Sequence, residues 1–132
     1  MKIEEYRKMM RVKCHARPRH IESQIQIQMV DWFKTEYPQY IISHTPNGGY
    51  RNSREAAIFK REGVLAGFPD LTIIANSAVL FVEVKTKTGR QSELQKDFQI
   101  KVERLGFPYV ICRSLQEFAL AVSKWLKENE KK

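Results

Sequence analysis

The sequence predicts an α/β fold in which a mixed central sheet is flanked by helices. Residues 71–75 and 79–85 are apolar on both faces, a pattern typical of strands buried in the middle of a sheet. Apolar residues at helical spacing follow at 92–105, and a further β-type run lies at 109–112. Because a strand, a helix and a strand follow one another, residues 79–85 and 109–112 should lie parallel through a right-handed crossover.

Before these elements, the sequence predicts a helix, a strand and a second helix. Residues 20–37 carry apolar side chains at helical spacing; the alternation within them also fits a strand, but their length favours a helix. The short strand at residues 40–45 ends at Pro46-Asn47-Gly48-Gly49, which predicts a glycine-rich surface loop. Residues 53–62 form the next helix, with Asn52 or Ser53 as its N-cap.

The two apolar strands predict a hairpin. If Asn76-Ser77 is a two-residue turn, Ala75 faces Ala78 and the register of every other pair follows. Asp70 then lies directly opposite Glu83 on one face of the sheet.

The C-terminal part of the chain predicts a helix, a strand and a helix. Residues 92–105 open with a capping box formed by Ser92 and Gln95. The strand at residues 109–112 follows, and Ser114 caps a last helix. The predicted order of elements is therefore αβ(α)ββαβα.

Three charged residues converge on one face of the predicted hairpin. Opposed residues have Cβ atoms about 5 Å apart, and the carboxylates of Asp70 and Glu83 would repel unless a cation or proton lay between them. Lys85 is two residues beyond Glu83 and therefore points to the same side. An apolar strand has no structural need for such charges, so they indicate a metal site. A purely structural alternative is an Asx turn at Asp70 and a solvated edge-strand pair of Glu83 with Lys85.

Length and charge limit the organisation of the chain. The 132 residues supply one ordinary domain, and a hydrophobic fraction of 42% argues against wholesale disorder. We expect a basic N-terminal arm at residues 1–19, a single domain at residues 20–126 and a charged tail at residues 127–132. The arm holds seven Lys or Arg and two Glu, and the net charge is +8. This charge suggests a polyanionic partner such as nucleic acid, although basic stretches also serve solubility.

The sequence also predicts a soluble, cytoplasmic protein that does not bind membranes. No apolar run approaches the roughly 18 residues that a membrane helix needs. Residues 1–13 are charged where a secretory signal would be apolar. Cys14 and Cys112 are far apart without metal-ligand spacing, so we expect two reduced thiols and neither a zinc site nor a disulfide.

Three motifs carry a family resemblance. Gly67-Phe68-Pro69-Asp70, then Glu83-Val84-Lys85-Thr86 and then Gln95 resemble the VRR-NUC family of the PD-(D/E)XK nuclease superfamily. The resemblance covers about residues 22–125. It implies a restriction-endonuclease-like αβββαβ core, in agreement with the order of elements above, and metal-dependent hydrolysis of phosphodiesters.

The resemblance also implies roles for individual residues. The implied catalytic residues are Glu22, Asp70, Glu83, Lys85 and Gln95. The implied metal ligands are Asp70, Glu83 and the backbone carbonyl of Val84, an oxygen set that favours Mg²⁺ or Mn²⁺. Lys85 would either deprotonate the attacking water or stabilise the charge that develops on the phosphoryl oxygens.

Two of these residues have structural explanations as well. The capping box fully explains Gln95, and both of its roles can coexist. Glu22 can simply favour the positive end of a helix. His44 stays outside the catalytic set, because a lone histidine beside Thr45-Pro46 is more often a hydrogen-bonding residue than a general base.

The function expected from these observations is a structure-directed DNA endonuclease. Phosphate contacts are assigned to four cations: Arg51, Arg54, Lys87 and Arg90. The resemblance implies a stand-alone phage or bacterial member, a homodimer, and branched DNA such as Holliday junctions as its substrate. The alternatives are a general duplex, flap or nicking nuclease and a non-catalytic nucleic-acid-binding module of the same fold.

Overall fold

A computed structural model describes residues 2–13, 21–46 and 52–130. Within these ranges the chain forms five helices and four strands. In chain order they are α1 (Ile3–Lys13), α2 (Ile21–Glu36), β1 (Ile41–His44), α3 (Ser53–Arg61), β2 (Leu71–Ala75), β3 (Ala78–Val84), α4 (Glu93–Arg104), β4 (Tyr109–Cys112) and α5 (Leu115–Asn129). All predicted elements are confirmed, with ends that differ by one or two residues or, in α5, a few.

The four strands form one mixed sheet in the order β1-β2-β3-β4. The first three strands are antiparallel, whereas β3 and β4 are parallel and joined through α4. Asn76 and Ser77 have positive φ angles of 48° and 60°, as a two-residue turn of type I′ requires. Ala75 pairs with Ala78 and Leu71 with Val82, so the predicted register is confirmed.

Each face of the sheet has its own apolar layer. On one face, Leu71 and Val82 are fully buried in the main core together with Phe33 of α2 and Phe118 of α5. On the other face, α4 packs its Phe98 ring against Phe81 of β3, with ring centroids 5.5 Å apart. These two layers hold β3, which carries the charged residues, in the middle of the molecule.

The N-terminal arm differs from the expectation. Residues 3–13 form α1, which the sequence analysis did not predict, and Tyr6 is fully buried in the core. Ile3, one turn before Tyr6, packs against the same core, so the first part of α1 docks through these two apolar side chains. Residues 14–19 of the expected arm, including Cys14, lie outside the described residues.

The C-terminal boundary also differs, because α5 continues to Asn129, past the domain end expected at residue 126. The side-chain amide of Asn129 donates to the carbonyl of Trp125 at 2.8 Å and extends this helix. Cys112 is a free, buried thiol, and burial raises its pKa to about 12. In the described part of the chain, no helix has the length and apolar character needed to cross a bilayer.

Candidate active site

The site is built around two acidic residues at one end of the β2–β3 hairpin. Asp70 directly precedes β2, and Glu83 lies in β3 one position beyond the Leu71–Val82 pair, so the two residues oppose each other as predicted. Glu83 is only 1% exposed. Burial, followed by the negative charge of Asp70, raises the pKa of Glu83 to about 8, and the charge of Lys85 acts in the opposite direction. At neutral pH and without a metal ion, Glu83 therefore keeps its proton, which avoids two negative charges side by side.

The two oxygens of Glu83 have different surroundings. Oε1 accepts a hydrogen bond from Gln95 Nε2 at 2.8 Å and lies 3.8 Å from Lys85 Nζ. Oε2 is buried and accepts no hydrogen bond from the described residues. A buried carboxylate oxygen without a donor is costly, and a cation beside it would remove that cost. The donor set thus fits a hard divalent cation.

Asp70 is oriented from both neighbouring strands. Its Oδ2 accepts a hydrogen bond from the Val84 backbone N–H at 2.8 Å. Its backbone carbonyl accepts from the Thr45 N–H at 3.0 Å and lies 2.9 Å from His44 Nδ1. His44, which the sequence analysis interpreted as a hydrogen-bonding residue outside the catalytic set, pairs with Leu71 and supports the backbone of Asp70.

Gln95 serves the helix and the site at once. Its backbone N–H donates to Ser92 Oγ at 3.2 Å, and its side-chain Oε1 accepts from the Ser92 N–H at 2.8 Å, which completes the capping box. The remaining side-chain donor, Nε2, reaches Glu83. The two explanations for Gln95 in the sequence are therefore compatible.

Gly67 allows the motif that contains Asp70 to approach α4. A Cβ atom at Gly67 would lie 2.5 Å from the carbonyl oxygen of Leu94, and φ at Gly67 is +86°. Both the space and the backbone conformation exclude a side chain. Phe68 then packs on Phe98 of α4, with ring centroids 5.0 Å apart. The glycine thus places the first turn of α4, and with it Gln95, against the Asp70 segment.

Glu22 lies at the rim, in the first turn of α2. Desolvation raises its pKa, while Lys85 lowers that pKa and Asp70 raises it, so all three charges act on one another. Among the described residues no set of three or more His, Cys, Asp or Glu side chains is arranged to hold a metal ion. Glu22 is thus close to the site but is not placed as a third acidic ligand beside Asp70 and Glu83.

The cations assigned to phosphate contacts lie at different places. Lys87 and Arg90 are exposed on the loop that follows Lys85, and Arg54 is exposed on α3. Arg51 lies outside the described residues. The structure adds Arg113, which donates to the carbonyls of this same loop. Sequence reasoning missed Arg113 because its hydrogen-bond partners lie 24 and 27 residues earlier in the chain, and no local pattern marks such a contact.

Comparison with known proteins identifies the family of the chain. The VRR-NUC domain model matches residues 19–116. A solved structure described as a VRR_NUC domain protein superimposes with a TM-score of 0.65 and 25% sequence identity, over 81% of this chain and 88% of that chain. No curated protein matches the chain. The family model spans all five predicted catalytic residues and most of the sequence, so the chain belongs to the VRR-NUC family and is a nuclease.

Proposed function

We propose that this nuclease is a metal-dependent endonuclease that hydrolyses phosphodiester bonds in DNA with Mg²⁺ or Mn²⁺. The observation that carries the proposal is the buried carboxylate of Glu83, whose Oε2 has no donor among the described residues and which faces Asp70. Both carboxylates and the carbonyl of Val84 offer the hard oxygen ligands that these ions prefer. A bound divalent cation would neutralise phosphodiester charge and lower the pKa of the attacking water.

Three further residues position the carboxylates or stabilise charge. Gln95 fixes Oε1 of Glu83, which leaves Oε2 free to bind. Val84 fixes one oxygen of Asp70 through its backbone N–H. Lys85, whose Nζ lies on the Glu83 side of the site, carries hydrogen-bond donors for the negative charge that develops on the phosphoryl oxygens.

For the substrate, we propose branched DNA cut by a homodimer. The net charge of +8 and the exposed cations Lys87 and Arg90 beside the site support a nucleic-acid backbone as the ligand. Preference for branched DNA follows from the family resemblance. Incision of two opposed strands needs two sites, and each chain carries a single Asp70–Glu83 pair, so a twofold dimer supplies the second.

Cleavage of labelled duplex, flap, single-stranded and four-way junction DNA tests the proposal. We expect incision of the junction with Mg²⁺ or Mn²⁺, none with EDTA, and none by Glu83→Gln under any condition. Light scattering should give about twice 15.5 kDa. Cleavage in EDTA would overturn the metal assignment. Equal cleavage of duplex and junction, or a monomer, would overturn branch specificity and favour a general nuclease, whereas binding without any cleavage would indicate a non-catalytic module.

A further inference from the structure

The loop between β3 and α4 is held by an arginine from a distant connection. Arg113 directly follows β4, and its Nη1 donates to the carbonyls of Gly89 at 2.6 Å and Thr86 at 2.7 Å. The two hydrogens of this guanidinium nitrogen suffice for these two bonds, and the carbonyl of Lys87 lies 3.5 Å from the same nitrogen. A single half-buried side chain thus closes residues 86–89 into a fixed turn.

This turn is in contact with the predicted catalytic lysine. The N–H of Gly89 approaches Thr86 Oγ1 at 3.1 Å and the Thr86 carbonyl at 3.2 Å. A Cβ atom added at Gly89 would lie 3.5 Å from Cδ of Lys85, so no more than the space of one methyl group separates the Gly89 backbone from the aliphatic stem of that lysine. The turn of residues 86–89 therefore limits the positions that the Lys85 side chain can take.

Hydrogen bonds also hold the backbone at and next to Arg113. Its backbone N–H donates to Glu117 Oε1 at 2.9 Å, and the preceding residue, Cys112, accepts from the Lys85 N–H at 3.1 Å. The far end of the loop is tied separately, because Gln91 Nε2 donates to Gln99 Oε1 at 2.9 Å. The loop is held at both ends by groups that do not belong to the carboxylate pair.

We propose that Arg113 is a positioning residue for Lys85. It holds the turn of residues 86–89, the turn supports the stem of Lys85, and the ammonium group is thereby aimed at the phosphate beside Glu83. The inference rests on the proposed function and adds a residue to that same site. It requires that Arg113 act on turnover through Lys85, not through affinity for DNA.

Cleavage kinetics of Arg113→Met and Arg113→Lys test this role. Arg113→Met keeps a long unbranched side chain but removes the hydrogen bonds to the turn. We expect kcat to fall on the order of 10- to 100-fold, as for a catalytic group displaced by about 1 Å. KM and the dissociation constant for junction DNA in Ca²⁺ should stay within about twofold. Arg113→Lys, which retains the charge and some donors, should recover part of kcat. Lys124→Met, on the exposed surface of α5, is the matched control and should cleave like wild type.

Amide hydrogen exchange supplies a second readout that does not depend on cleavage. In Arg113→Met the N–H of Gly89 should exchange faster, while amides of β2 and β3 keep their protection. Wild-type kcat in Arg113→Met, or unchanged exchange at Gly89, would overturn the inference. Weaker DNA binding with unchanged kcat would instead make Arg113 a phosphate contact. Failure of the proposed function is distinct, because wild-type protein would then show no metal-dependent cleavage.

Discussion

Gln95 donates to Glu83 through Nε2 at 2.8 Å, while the same side-chain amide caps its own helix through Oε1. One residue therefore joins the start of α4 to the most deeply buried charged group of the sheet. The orientation of the helix and the orientation of the carboxylate cannot change independently. This link is the reason that a helix-capping motif and a nuclease motif occupy the same position.

Gln95→Glu separates the two roles of this side chain. Glutamate is an equally good capping-box residue, so the cap should persist. The donor to Glu83 is replaced by a like charge, so cleavage should fall by at least tenfold, and the melting temperature should fall because of the buried carboxylate and not because of the cap. Gln95→Ala, the matched variant, loses both roles and should also lose about 1 kcal/mol of stability. Wild-type cleavage by Gln95→Glu would contradict this assignment.

Glu83 should make the metal-free protein less stable as pH rises. Its pKa is about 8 in the folded chain against an ordinary value of 4.5, so the folded state binds more protons between these pH values. The free energy of unfolding contributed by this group therefore decreases with increasing pH across that window. Glu83→Gln removes the effect and should stabilise the metal-free protein at pH 8 by about 1 to 3 kcal/mol. Thermal unfolding in EDTA at pH 5 and pH 8 measures this difference, which should be much smaller at pH 5.

Lys85→Ala should distinguish turnover from metal binding. An ammonium group is not a metal ligand, so calorimetry with Mn²⁺ should give near wild-type binding while cleavage is lost. Asp70→Asn and Glu83→Gln each remove ligand charge without removing volume, and both should weaken Mn²⁺ binding together with cleavage. Loss of Mn²⁺ binding in Lys85→Ala would contradict the assigned role.

Local sequence patterns were sufficient for the central part of this site. The Asn76-Ser77 turn sets the hairpin register, and the register alone places Asp70 opposite Glu83. The supporting groups could not be predicted in the same way. Tyr6 is buried in the core although it belongs to a segment rich in Lys and Arg. Arg113 forms hydrogen bonds with loop residues that lie 24 and 27 positions away in the sequence. Such contacts depend on tertiary packing, which no local periodicity encodes.

The basic N-terminal segment should be tested by charge changes and not by deletion. Because Tyr6 is buried, removal of the segment would expose the core, and Tyr6→Ala alone should cost about 3 kcal/mol. Lys2 and Lys8 are exposed, so their replacement by Gln should leave stability unchanged. If they contact phosphates, the slope of log affinity against log salt falls by about 0.9 for each lost contact. An unchanged slope would restrict this segment to a structural role.

Gly67→Ala should be far more damaging than Gly63→Ala. Both glycines have positive φ, but a Cβ at Gly63 meets nothing within 4 Å, whereas one at Gly67 meets the Leu94 backbone at 2.5 Å. Gly63→Ala should therefore cost about 1 kcal/mol from backbone conformation alone. Gly67→Ala should cost several times that, or shift α4 and reduce cleavage strongly. Denaturant unfolding and cleavage assays of the pair measure the contrast, and equal effects would refute the proposed contact.

Because α3 is exposed, its opening should cost less free energy than the unfolding of the buried sheet. No residue of this nine-residue helix is buried, although all four residues of the flanking strand β1 pair with β2. Opening of α3 therefore breaks helical hydrogen bonds without uncovering the core, and it costs much less than global unfolding. We therefore expect the segment that carries Arg54 to change its shape at a lower free-energy cost than the strands that hold Asp70 and Glu83. If Arg54 contacts DNA as proposed, this contact can adapt to the ligand while the two carboxylates keep their geometry.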